Sequence, residues 1–95
     1  MKIIWTENAS RNYFQILDYL LNRWSEKVAN KFIDEVDRKL ELLLISHEVF
    51  EKVPLTNVQR ILINKHITLF YAVDGEKIYL IHFWNNSQNP ENLKL

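Results

Sequence analysis

The sequence predicts an α+β fold in which a short N-terminal strand and an antiparallel helix pair precede a three-stranded antiparallel meander, β-α-α-β-β-β. Three observations carry this prediction. The second half contains three β-rich runs, Arg60-Ile-Leu-Ile, His66-Ile-Thr-Leu-Phe-Tyr-Ala-Val73 and Lys77-Ile-Tyr-Leu-Ile-His-Phe-Trp84. The only glycine, Gly75, follows Asp74 between the last two runs, where an Asp-Gly pair supplies the positive φ of a tight hairpin. The first half instead repeats its apolar residues at threes and fours, the period of an amphipathic helix.

Taken in order, Lys2-Ile-Ile-Trp-Thr6 reads as a short strand, and Thr6 as the N-cap of a helix with Glu7 at its positive end. Ala9, Tyr13, Ile16, Leu17, Leu20 and Trp24 form its apolar face. Ser25 breaks the pattern and caps a second helix, whose Ala29, Phe32, Ile33, Val36, Leu40, Leu43 and Leu44 lie along one stripe. The short connection makes the two helices antiparallel neighbours. Periodicity lapses from Ser46 to Gln59, and Pro54 disfavours helix at Val53, so this stretch is expected to be a loop.

In the middle run, Ile67, Leu69, Tyr71 and Val73 alternate with His66, Thr68, Phe70 and Ala72, which turns the first set toward the helices. Strict alternation in the last run sets Tyr79, Ile81 and Phe83 against Ile78, Leu80, His82 and Trp84. This run is apolar on both faces, so it is expected in the sheet interior. A helix pair covers one face only, which leaves the other as an expected docking surface.

Composition narrows the function. Ninety-five residues, 47% of them apolar, suit one domain spanning residues 1–95. Twelve basic residues balance twelve acidic ones, which argues against a generic nucleic-acid binder, because such binding draws on a surplus of Lys and Arg. The absence of cysteine excludes disulfides and thiolate metal sites, and His47, His66 and His82 lack metal-ligand spacing, so neither metal nor cofactor is expected. No stretch approaches the roughly 20 apolar residues of a membrane span, and a cytoplasmic protein with no membrane partner is expected. His82, with an ordinary pKa near neutrality, is a candidate acid or base. Arg60 is a candidate phosphate or carboxylate ligand, with Lys65 and His66 at the neighbouring turn.

Several pieces together resemble the RelE/ParE superfamily of toxins from bacterial type II toxin-antitoxin systems. They are Ile4-Trp-Thr-Glu-Asn-Ala9, Ala29 with Phe32, the leucine cluster before the Pro-containing loop, Arg60-Ile-Leu, Leu69-Phe-Tyr-Ala-Val73, and Phe83 followed by Gln88-Asn-Pro90. The resemblance implies growth inhibition, plasmid stabilisation and neutralisation by a cognate antitoxin, in a homodimer or a toxin-antitoxin heterotetramer. It further implies either ParE-like poisoning of DNA gyrase or RelE-like cleavage of mRNA on the ribosome. In the ribonuclease reading, Arg60 would stabilise phosphate charge and His82 would move protons. Thr68, Ala72 and Ser87 stand where family members carry arginine. These departures favour the gyrase reading, with the endonuclease and a degenerate non-toxic member as alternatives. Phe70, Trp84, Asn86, Ser87 and Gln88 are the expected antitoxin contacts.

Overall fold

A computed structural model describes residues 1–87. Strand β1 (Lys2–Trp5) leads into helix α1 (Glu7–Arg23) and helix α2 (Glu26–Ser46). A 3₁₀ turn at His47–Val49, strand β2 (Glu51–Lys52), and strands β3 (Val58–Leu62), β4 (Ile67–Asp74) and β5 (Lys77–Asn85) follow. Both expected caps form: the Thr6 hydroxyl accepts the Ala9 amide at 3.1 Å, and the Ser25 hydroxyl accepts that of Val28 at 3.2 Å. Gly75 adopts φ 60° at the first of the two residues joining β4 to β5.

The sheet has five strands in the order β1-β5-β4-β3-β2, antiparallel except for the parallel β1–β5 pair. One member lies inside the expected loop. Residues 51 and 52 pair with Arg60 and Gln59, forming a strand too short for periodicity to reveal. The last strand is interior as expected, between β1 and β4.

The helices pack on one face. Ala9, Phe32, Val36 and Leu43 meet Ile61, Ile67, Leu69, Tyr71, Ile78, Leu80 and Phe83 in a continuous buried core. Trp5 stacks on Phe83 with ring centroids 5.7 Å apart and meets Tyr13 edge-on at 5.1 Å, which ties β1, α1 and β5 together.

The strict alternation expected for the last strand is corrected by a β-bulge. Phe70 pairs with His82 while the next residue, Tyr71, pairs with Leu80, so Ile81 is the extra residue of β5. The bulge resets the side-chain phase. Ile78, Leu80 and Phe83 all join the helix-side core, while Ile81 and Trp84 belong to the opposite face.

That opposite face is not bare, which corrects the expected open surface. Val58, Phe70 and Trp84 form a second small cluster with Val53 and Ile81 against them, and Phe70 and Trp84 are only 3% and 7% exposed. A three-strand reading has nothing to shield these side chains, whereas the hairpin of β2 and β3 brings Val53 and Val58 to the cluster.

Candidate functional site

Cross-strand register places four residues in one row across the sheet: Glu51 on β2, Arg60 on β3, Phe70 on β4 and His82 on β5. Arg60 and His82 therefore share a row, two strand spacings or roughly 10 Å apart. Phe70 stands between them and is buried. Each end of the row is already engaged.

At one end, an Arg60 Nη donates to a carboxylate oxygen of Glu51 in an exposed ion pair. This hydrogen bond, reinforced by the opposite charge, raises the Arg60 pKa and lowers that of Glu51. The guanidinium thus stays charged and is paired with Glu51 at the exposed edge of the sheet. Beside it lies a shallow depression lined by Lys39, Glu51, Arg60, Leu62, Thr68 and Asn86.

At the other end, the Asn8 amide Nδ2 stands 2.9 Å from His82 Nδ1 and 2.9 Å from the Ile81 carbonyl oxygen, to which it donates. An amide nitrogen can only donate, so His82 Nδ1 is the acceptor and the ring proton resides on Nε2. Burial lowers the His82 pKa below its ordinary 6.5, keeping the ring neutral around pH 7. Its ring centroid lies 5.7 Å from that of Trp84.

Helix α1 has a second part in this arrangement. β1 pairs with β5 only as far as Leu80, and past that point α1 side chains serve the same strand. The Thr6 hydroxyl donates to the Leu80 carbonyl at 2.6 Å, and Asn12 Oδ1 accepts the Phe83 amide at 3.1 Å. Asn8 and Asn12 thus hold the bulge in place of a strand. Sequence reading assigned them no role, although two asparagines four apart in a helix, where this residue is unfavourable, are a signal that each serves something beyond it. Glu51 was missed because its segment read as loop.

The other expected residues lie apart from this row. Asn86 forms a clasp: its Oδ1 accepts the Thr68 hydroxyl at 2.7 Å, its Nδ2 donates to the Lys65 carbonyl at 3.2 Å, and its backbone amide donates to that of His66 at 2.8 Å. It therefore fixes the β3–β4 turn, and Lys65 and His66 are exposed there. Thr68, at a position expected to carry arginine, has its hydroxyl satisfied internally. Ser87 turns its hydroxyl onto Asn85 Oδ1 at 2.7 Å. Gln88 lies outside the described residues. Among those residues, no group of three His, Asp or Glu side chains could hold a metal ion, and no helix is long and apolar enough to cross a membrane.

This architecture, a helix pair packed on one face of a mixed five-stranded sheet, is that of small toxins from type II toxin-antitoxin systems. Residues 3–90 match the family model described as the ParE toxin of the type II toxin-antitoxin system, parDE, and the chain belongs to that family. It is similar to a solved structure of the chromosomal ParDE system from P. aeruginosa, with TM-score 0.75 and 15% identity over 90% of this chain and 95% of that one. A YoeB/ParE toxin from Agrobacterium tumefaciens gives TM-score 0.65 at 12% identity, covering 90% and 99% of the two chains. The YoeB dimer from Staphylococcus aureus gives 0.62 at 18%, covering 86% and 92%. At such identities these likenesses concern the fold. No curated protein sequence matches the chain significantly.

Proposed function

We propose that this toxin acts on a protein target, DNA gyrase, and is silenced in the cytoplasm by a cognate antitoxin. One observation carries the reading: Arg60, the single basic residue in the row besides His82, is paired with Glu51 and stands roughly 10 Å from His82 across buried Phe70. Cleavage of RNA by its own 2′-hydroxyl needs cations converging on the phosphate as charge develops, and each missing donor typically lowers the rate by about 10²- to 10³-fold. A neutral His82 with Nδ1 engaged by Asn8 is a poor partner for a distant guanidinium.

The antitoxin reading also changes in detail. Phe70 and Trp84 are interior, so the surface offered to a partner is the rim formed by Asn86, Ser87 and the β3 edge beyond Arg60. There β2 no longer pairs and Leu62 is half-exposed. An added strand or an amphipathic helix suits such an edge. Pairing with an antitoxin as a heterotetramer, or a homodimer of the free toxin, belongs to the same proposal, as do growth inhibition and plasmid stabilisation.

A RelE-like endonuclease is the second reading, favoured by Lys39, which adds a cation to the depression beside Arg60. Primer extension on a reporter mRNA after induction, beside a plasmid supercoiling assay with purified gyrase, separates the two. Loss of supercoiling without mRNA cleavage is the expected result. Codon-positioned cleavage that disappears in Arg60→Ala or His82→Ala would establish the nuclease instead.

A further inference from the structure

The solvent side of α2 carries a charge pattern that complements its own reverse. Ala29, Phe32, Val36 and Leu43 are its buried residues. The opposite side presents Lys27, Lys31, Asp34, Arg38, Glu41 and Ile45 at alternating spacings of four and three, which makes one straight stripe, exposed throughout. Charges on a helix surface ordinarily pair one turn away, and Asp34 and Arg38 are spaced for it. They do not pair here. Among the described residues the ion pairs are Arg11–Glu7, His47–Glu48 and Arg60–Glu51, and α2 contributes to none of them.

Apolar side chains are exposed at both ends of the stripe. Trp24, just before α2, is 69% exposed, and Val28 is exposed in the first turn. At the other end stand Leu42, Ile45 at 76% and Val49 at 69%. Charged side chains without partners, flanked by uncovered apolar ones, describe a surface that something else completes.

We infer that a second copy of the chain docks on this stripe, α2 against α2 in antiparallel orientation about a two-fold axis level with Val36. This surface is that of the homodimer proposed above, and rests on that reading. In this register Asp34 meets Arg38 of the other copy and Lys31 meets Glu41, and the two-fold makes each pair twice. Lys27 and Val28 come level with Ile45 and Leu44, and Trp24 with the turn that carries Glu48 and Val49, so the apolar ends cover one another. Sliding by one helical turn sets Arg38 on Arg38 in one direction and Asp34 on Asp34 in the other. A parallel pairing opposes every charge to itself. The complementarity is that of one sequence with its own reverse, the condition a two-fold contact between identical chains must meet and an unrelated partner need not. Because the stripe lies opposite the core-facing side of α2, the dimer leaves the row from Arg60 to His82 uncovered. A helix of 21 residues, roughly 32 Å long, offers a contact at the low end of interface size, so the dimer is reversible, with a Kd of about 1–100 µM.

Sedimentation equilibrium of the full-length toxin across that concentration range is expected to show monomer and dimer exchanging, with less dimer at high salt. Lys31→Glu and Glu41→Lys each bring like charges face to face and should weaken the dimer roughly 10- to 100-fold. Positions 31 and 41 stand about 15 Å apart along one helix, beyond the screening length, so they do not compensate one another within a chain. Recovery of dimer in the double variant Lys31→Glu/Glu41→Lys therefore arises across the two-fold. Lys31→Glu combined with Glu76→Lys, at the exposed β4–β5 turn, restores net charge without restoring the match and should stay weak. All of these positions are exposed, so the variants should melt as the parent does. Equal dimerisation by the parent and the single variants, or a double variant no tighter than the singles, would overturn this surface while leaving the homodimer standing. A parent that stays monomeric throughout would overturn both. Weakened antitoxin binding at unchanged dimerisation would assign the stripe to the antitoxin and overturn the proposal.

Discussion

Replacing Tyr71 by phenylalanine and Gln59 by leucine, singly and together, tests how the sheet fixes the turn that delivers Glu51 to Arg60. The two residues are directly opposite on β4 and β3, and both reach the same acceptor. The Tyr71 hydroxyl donates to the His47 carbonyl at 2.6 Å, and Gln59 Nε2 donates to that carbonyl and to the carbonyl of Phe50, each at 3.1 Å. Either single change leaves His47 with one donor; Tyr71→Phe removes one ordinary hydrogen bond, about 1 kcal/mol or about 4–8 °C in Tm for a domain of this size, and Gln59→Leu removes two, about 2 kcal/mol. The double change leaves the carbonyl with none. An unsatisfied acceptor away from water costs about 1–3 kcal/mol, so the double variant should lose about 4–6 kcal/mol, about 1–3 kcal/mol beyond the sum of its parts. Urea unfolding of the four proteins measures this directly. Losses that add to within about 0.5 kcal/mol would show that the shared carbonyl is not what couples the two strands to the turn.

Three further outcomes are expected. Phe70→Ala should destabilise the toxin by about 3–5 kcal/mol in thermal unfolding, because the ring is buried; reduced antitoxin affinity at unchanged Tm would instead restore it as a surface contact. Burial depresses the His82 pKa, so between the folded and unfolded values the unfolded chain binds the extra proton; stability is complete above about pH 6.5 and falls as the solution is acidified toward the folded value. A His82→Gln variant should lose that part of the pH dependence, and an unchanged profile would place the responsible group elsewhere. Arg60→Ala should leave thermal stability little changed at high salt, since its ion pair with Glu51 is exposed, and a large loss would reveal a buried contribution from the arginine.

Elements whose physics is local were legible in the sequence. Thr6 and Ser25 announced both helix starts, and Gly75 marked the tight hairpin. The alternation from Ile67 to Val73 identified which side of β4 meets the helices. What escaped depends on partners distant in sequence. A two-residue strand has no period to detect, so Glu51 and its hold on Arg60 were invisible. The bulge at Ile81 leaves no compositional mark, because every residue around it is apolar or aromatic-like on either face. Missing it split Phe83 from Ile78 and Leu80, which share the core. Phe70 was correctly assigned to the face away from the helices, but its burial and that of Trp84 depend on Val53 and Val58, brought there by a hairpin read as loop. Arg60 and His82 were chosen for their chemistry, which says nothing of the spacing and engagement that register and Asn8 impose.

The parallel pairing of β1 with β5 sets a timetable for the protein's synthesis. Lys2 finds its partner only at Lys77, and the Trp5 ring its stacking partner only at Phe83. At about 5–20 residues per second, the first strand waits roughly 4–15 s for the last to be made. Until then the helices can form, but β1 has no ladder and the bulge that Asn8 and Asn12 grip does not exist. A nascent chain therefore lacks the closed sheet for the whole interval of translation, and the row from Arg60 to His82 is assembled only at its end.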